Sequence, residues 1–218
     1  MSNFAVARRN MVDCQLRPNE VTDAKLVAAM LDVPRERFVP VSLQGVAYID
    51  EDLALGNGRY LMEPMVFARL MQLAEIGPED VVLDIGCGTG YSAAVIGRLA
   101  GTVVALESDA ALAATATELL GELACDNVAV IEGDLTAGCR GQGPFDVIFI
   151  EGAVAEVPKA ITDQLKEGGR LVTVMAKTPQ VGRGVVMVRC GDAVGCRTVF
   201  DAATPYLPGF AVKEEFVF

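Results

Sequence analysis

The 218-residue chain contains no histidine. That absence excludes Ser-His-Asp and Cys-His nucleophile chemistry, histidine-ligated metals and histidine as a general base. The six cysteines, Cys14, Cys87, Cys125, Cys139, Cys190 and Cys196, include no C-x-x-C pair. Structural zinc takes four ligands, so no metal is expected. Secreted disulfide scaffolds are shorter and denser in cysteine, so this usage points to a reducing cytosol. No apolar run approaches transmembrane length, and Met1–Asn10 lacks the apolar stretch of a signal peptide. Positive charge is scarce: 18 basic against 29 acidic residues give a formal net charge of −11. Such a surface repels phosphate backbones and anionic lipid, so neither nucleic acid nor membrane is expected as a partner.

An apolar fraction of 52% is too high for a disordered chain and suits one α/β domain of ordinary size. The first 50 residues read as helical, with Val21–Met30 at helical spacing and Thr22 or Asp23 as N-cap. Residues 50–64 read as a loop broken by Gly56, Gly58 and Pro64, and 65–75 return to helix. From residue 80, short apolar runs alternate with helical stretches. Strands are predicted at Val81–Ile85, Val103–Glu107, Val128–Ile131, Phe145–Ile150 and Arg170–Met175, with helices near 91–100, Ala110–Leu123 and Pro158–Leu165. That alternation predicts a Rossmann-like, doubly wound, mostly parallel sheet with helices on both faces. Val185–Arg189, Cys196–Phe200 and Lys213–Phe218 are expected to finish the sheet as antiparallel strands. The expected organisation is a helical extension with a loop over 1–64 and a cofactor-binding unit over 65–218, packed as one compact body.

Five segments carry chemistry. Asp84-Ile85-Gly86-Cys87-Gly88-Thr89-Gly90-Tyr91 joins a strand to a helix. Its glycines permit a tight turn at the protein surface and close approach of backbone to a ligand. The spacing is G-x-G-x-G, whereas dinucleotide loops read G-x-G-x-x-G, and this counts against a nicotinamide dehydrogenase. Glu107 closes the next strand about 20 residues on, where a carboxylate can accept from both ribose hydroxyls. Asp134 and Leu135 follow the third strand and suit an adenine edge. Glu151 follows the fourth strand, on the side where ligands of open α/β sheets sit. Leu165–Leu171 contains the paired Gly168 and Gly169, an architectural stop.

These segments, in this order, resemble the class I S-adenosylmethionine-dependent methyltransferases. Met11-Val12-x-x-Gln15-Leu16-Arg17 with Val21-Thr22-Asp23, and Val33-Pro34-Arg35-Glu36-Arg37-Phe38-Val39-Pro40, narrow the resemblance to protein-L-isoaspartate O-methyltransferases over nearly the whole chain. The resemblance implies methylation of isoaspartyl carboxylates in damaged protein or peptide, with S-adenosylmethionine held by Asp84, Gly86, Gly88, Glu107, Asp134 and Leu135. The family's acceptor loop reads Gly-x-x-x-Thr-Ile-Ser-x-Pro. The resemblance implies that the serine hydroxyl is catalytic or orienting; here Gly56–Pro64 places Tyr60 at the threonine position and Met62, which cannot donate a hydrogen bond, at the serine position, so slow isoaspartyl methylation is expected. Arg59 could hold a carboxylate bidentately, and Glu63 or Glu151 could bind or deprotonate an amine. The loop leaves open a methyltransferase with another acceptor or a non-catalytic S-adenosylmethionine-binding protein.

Overall fold

The computed structural model describes residues 3–178 and 181–211. The chain enters through α1 (Phe4–Met11), a π turn (Val12–Leu16) and α2 (Ala24–Asp32). Asp23 caps α2, its Oδ1 accepting from the amides of Lys25 and Leu26 at 2.8 and 3.0 Å. The stretch expected as loop instead forms a hairpin of β1 (Leu53–Gly56) and β2 (Arg59–Leu61). Asn57 and Gly58 make its turn at φ 49° and 71°. Asn-Gly is the residue pair that left-handed two-residue hairpin turns favour. α3 (Pro64–Ala74) then leads into the sheet.

The sheet has seven strands in the order β5-β4-β3-β6-β7-β8-β9. These are β3 (Val81–Ile85), β4 (Thr102–Glu107), β5 (Val128–Glu132), β6 (Phe145–Val154), β7 (Leu165–Thr178), β8 (Val181–Cys190) and β9 (Ala193–Ala202). The first five run parallel, and β8 and β9 are antiparallel. α4 (Tyr91–Gly97) and α5 (Ala110–Glu122) connect strands as expected. The helix expected over Pro158–Leu165 shrinks to α6 (Lys159–Thr162), because Leu165 already pairs with Phe145 in the sheet. Lys213–Phe218 lies outside the described residues.

Alternate residues of the buried strands feed two cores, as period 2 requires. Val82, Phe149 and Val172 pack with the N-terminal segments, α3, α4 and α5. Leu83, Ile148 and Leu171 pack on the other face with Ile161, Leu135, Leu207 and Phe210. The first core takes in Met11, Leu16, Leu26 and Met30 alongside the sheet residues, so the N-terminal helices share it with the α/β unit. Among the described residues no helix is long and apolar enough to cross a membrane.

The chain starts the parallel sheet in its middle at β3, builds outward to β5, then returns to β6 on the other side of β3. The carboxyl ends of β3 and β6 therefore flank the point where strand order reverses, the crevice at which open α/β sheets bind ligands.

Candidate functional site

The loop leaving β3 has Gly86, Gly88 and Gly90 at φ 84°, 56° and 95°, values that other residues adopt only at a cost. The amides of Gly86 and Cys87 both donate to the carbonyl of Leu106, at 2.8 and 3.2 Å, which ties the loop to β4. The loop is buried, contrary to the surface position expected for it. A Cβ on Gly86 would stand 2.7 Å from Leu207 Cδ1 and 2.8 Å from Arg59 Nη2, and one on Gly88 would stand 2.9 Å from Leu55 Cδ1. Three side chains from two segments thus lie directly over the glycines. Leu207 lies in the segment beyond β9, next to Tyr206, which bridges Ala153 in parallel, and its amide donates to Ala153 O at 2.9 Å.

Glu107 closes β4 and is wholly buried. Its Oε1 accepts from the amides of Ser108 and Asp109 at 2.8 and 3.1 Å. Its Oε2 accepts from the amide of Gly88 at 2.7 Å and from Arg59 Nη2 at 2.8 Å. Arg59 Nε lies 3.3 Å from both oxygens, and Arg59 Nη2 also donates to the carbonyl of Gly86. Burial pushes the Glu107 carboxyl up, but the Arg59 guanidinium with the Asp109 and Gly88 amides outweighs it and holds the group below its usual value. The hairpin is anchored a second time by Asn57 Nδ2, which donates to Asp109 Oδ2 at 2.7 Å.

Asp84 and Glu151 lie on one face of neighbouring strands. Asp84 is opposite Phe149, and Glu151 follows two residues later. Both are buried. Ser92 Oγ donates to Asp84 Oδ2 at 2.6 Å, while Asp84 Oδ1 and Glu151 Oε1 are buried without a hydrogen-bond partner. Burial, and then the neighbouring Asp84 charge, raises the Glu151 carboxyl well above its usual range. Burial raises Asp84 in the same direction, with the Glu107 charge adding to it. Arg35, fully buried, donates to Ala47 O at 2.8 Å and to Met62 O at 2.7 Å, yet its Nη1 has no partner. Sequence reasoning did not single out Arg35 or Ser92.

The remaining expected residues divide by exposure. Asp134 is exposed and turned back on its own loop, accepting from the amide and hydroxyl of Thr136, both at 2.8 Å. Leu135 is buried beneath it. In β2 the burial alternates. Arg59 and Leu61 point inward, and Tyr60 is 37% exposed. Met62 is 2% exposed and sits in the first core. Glu63 is half-buried beside Asp52, Asp50 and Glu51. Burial, and then these charges, pushes it up to about 7. The structure therefore brings Asp84, Gly86, Gly88, Arg59, Glu107 and Glu151 together at the strand ends, and turns Met62 away into the core.

A family model described as "Protein-L-isoaspartate(D-aspartate) O-methyltransferase (PCMT)" matches residues 7–193. A relative from Koribacter versatilis, named protein-L-isoaspartate O-methyltransferase, is 42% identical over 172 residues, covering 79% of this chain and 78% of its own. One of the same name from Roseiflexus castenholzii is 39% identical over 218 residues, covering 98% and 97%. A solved structure of that name superposes with a TM-score of 0.80 at 26% identity, over 94% of this chain and 67% of its own. A Plasmodium falciparum structure, titled a putative enzyme of this kind in complex with S-adenosyl-L-homocysteine, superposes with a TM-score of 0.76 at 19% identity, over 94% and 98%.

Proposed function

Because the chain belongs to the protein-L-isoaspartate(D-aspartate) O-methyltransferase family of S-adenosylmethionine-dependent methyltransferases, we propose that it methylates the free α-carboxylate of isoaspartyl residues in damaged protein. The ester so formed closes to a succinimide, which reopens in part as normal aspartate. The observation that carries this reading is the family match, which runs across the N-terminal segments as well as the glycine loop.

The strand-end cradle has a donor and acceptor set that suits the cofactor. Left-handed glycines let backbone approach a ligand, and a carboxylate closes the neighbouring strand. Two further carboxyl groups have oxygens left to accept with. When bound, S-adenosylmethionine supplies an electrophilic methyl group on a sulfonium. Glu107 would accept from the ribose hydroxyls, and Gly86 and Gly88 would line the chain's closest approach. Asp134 would accept from the adenine amino group, with the Leu135 amide donating beside it. Asp84 and Glu151 suit the ammonium of the amino-acid end, since a cation there would face otherwise unpartnered carboxyl oxygens.

An isoaspartyl carboxylate is already ionised at neutral pH. The protein need not remove a proton from it, so alignment of the two groups is the main demand. A chain without histidine meets that demand. Tyr60 is the hydroxyl that the 56–64 segment exposes, and it would orient the acceptor.

The test is methyl transfer from labelled S-adenosylmethionine to an isoaspartyl peptide, beside its aspartyl twin. Base-labile label on the isoaspartyl peptide alone is expected. Equal label on both peptides, or none on either, overturns the reading.

A further inference from the structure

We infer that Arg59 is an internal competitor for the cofactor's ribose subsite, so that binding S-adenosylmethionine requires the β1–β2 hairpin to release Glu107. The inference rests on the cofactor reading above and adds a determinant of affinity to it.

Four observations carry it. First, Glu107 is saturated. Four protein groups besides Arg59 donate to it, namely the amides of Gly88, Ser108 and Asp109 and, at 3.3 Å, the Ser108 hydroxyl, and Arg59 reaches both of its oxygens. A carboxylate offers roughly four lone-pair sites, so a ribose diol cannot add to this set. It has to replace a donor. The amides belong to the backbone that shapes the loop, and the Ser108 hydroxyl reaches only Oε1, at 3.3 Å, so Arg59, which spans both oxygens and covers Gly86 as well, is the donor whose replacement opens the subsite.

Second, Arg59 contacts the loop itself. Its Nη2 donates to the carbonyl of Gly86 and would lie 2.8 Å from a Cβ built there. The guanidinium thus covers backbone that the glycine sequence leaves open. Third, the hairpin delivers more than one group: Leu55 stands over Gly88, and Asn57 holds Asp109. Release therefore involves the hairpin as a unit. Fourth, the pair is sealed from water, Arg59 being 3% exposed and Glu107 fully buried. A forked guanidinium–carboxylate pair in such a place is directional and persistent. In contrast, the hairpin that carries it has only two short strands paired to each other, outside the seven-stranded sheet, so its departure leaves that sheet intact.

The energetic consequence follows from linkage. If the ligand-competent state is the one with Glu107 free, apparent affinity falls by the fraction of molecules in that state. Deleting Arg59 removes the competitor and leaves Glu107 an unpaired buried carboxylate, which ribose hydroxyls would then satisfy.

The experiment is calorimetric titration with S-adenosyl-L-homocysteine, which needs no turnover. Wild type, Arg59→Met and Arg59→Lys are compared. Arg59→Met keeps aliphatic bulk without charge, and about 10-fold or more tighter binding is expected, the equivalent of one charge-assisted hydrogen bond. Arg59→Lys keeps a charge but loses the fork, so a smaller gain is expected. It also provides a folded comparison should Arg59→Met be too unstable. If wild type binds and neither variant binds tighter, the competition is overturned while the cofactor reading stands. If none of the three proteins binds, the cofactor reading falls, and the inference with it.

Discussion

Nη2 of Arg59 lies 2.8 Å from Oε2 of Glu107, and the pair joins the second strand of a small hairpin to the carboxyl end of β4, next to the edge strand of the main sheet. Breaking a buried pair from one side leaves the other charge uncompensated, which costs about 3–5 kcal/mol. Glu107→Ala is therefore expected to lower stability by that order as well as weaken cofactor binding. The double variant Arg59→Met/Glu107→Ala should recover much of the loss, since neither charge remains. Urea unfolding of the three proteins checks this. A Glu107→Ala protein as stable as wild type would show that the pair contributes nothing.

The buried carboxyls Asp84 and Glu151 make stability depend on pH. Both folded values lie above the ordinary carboxylate range. The native state then keeps protons that the unfolded chain has released above about pH 4.3, so stability falls as pH rises from there toward the folded values. Each such group contributes a slope of up to about 1.4 kcal/mol per pH unit within its window. Glu151→Gln cannot ionise, so its stability relative to wild type should rise between pH 5 and pH 8. Parallel pH profiles for the two proteins would refute the assignment.

Gly88 is at φ 56° with Leu55 Cδ1 2.9 Å from where a Cβ would stand. A glycine loop at the surface would tolerate valine with loss of ligand binding alone. Buried as it is, Gly88→Val meets both a left-handed backbone and an occupied space. A loss of about 2–5 kcal/mol is expected together with loss of cofactor binding. Thermal melting that matched wild type would mean that the hairpin yields freely.

Met62 stands where the family pattern has serine, and from sequence alone Tyr60→Thr with Met62→Ser would be expected to raise isoaspartyl methylation by restoring a hydroxyl. The structure reverses that expectation. Met62 is in the core, and its carbonyl is held by Arg35 at 2.7 Å. Met62→Ser removes buried apolar volume and buries a hydroxyl, at a cost of about 2–5 kcal/mol. Initial rates on an isoaspartyl peptide at saturating cofactor should therefore not rise in the double variant. A clear rise would place the Met62 position at the acceptor after all.

Local sequence determined the parallel sheet and its connections. Runs such as Val81–Ile85 and Val103–Leu106 are short, β-branched and apolar, as strands buried on both faces are, and Asp23 caps its helix with its own side chain. The backbone freedom of the glycine loop and the place of Glu107 at a strand end were legible for the same reason, since both depend on local backbone shape. The β1–β2 hairpin was also within reach. Asn57-Gly58 carries the turn signal, although Gly56 and Pro64 made the segment read as loop.

What only the tertiary structure decided is which charges meet. Arg59 and Glu107 are separated by 48 residues, and each by itself reads as a free group waiting for a ligand. Their pairing depends on the hairpin folding back over the sheet, a long-range contact that no local pattern records. The same holds for Leu207 above Gly86 and for the inward turn of Met62. Spacing along the chain specifies backbone shape through short-range sterics, whereas the partner of a buried charge is set by how separate elements pack.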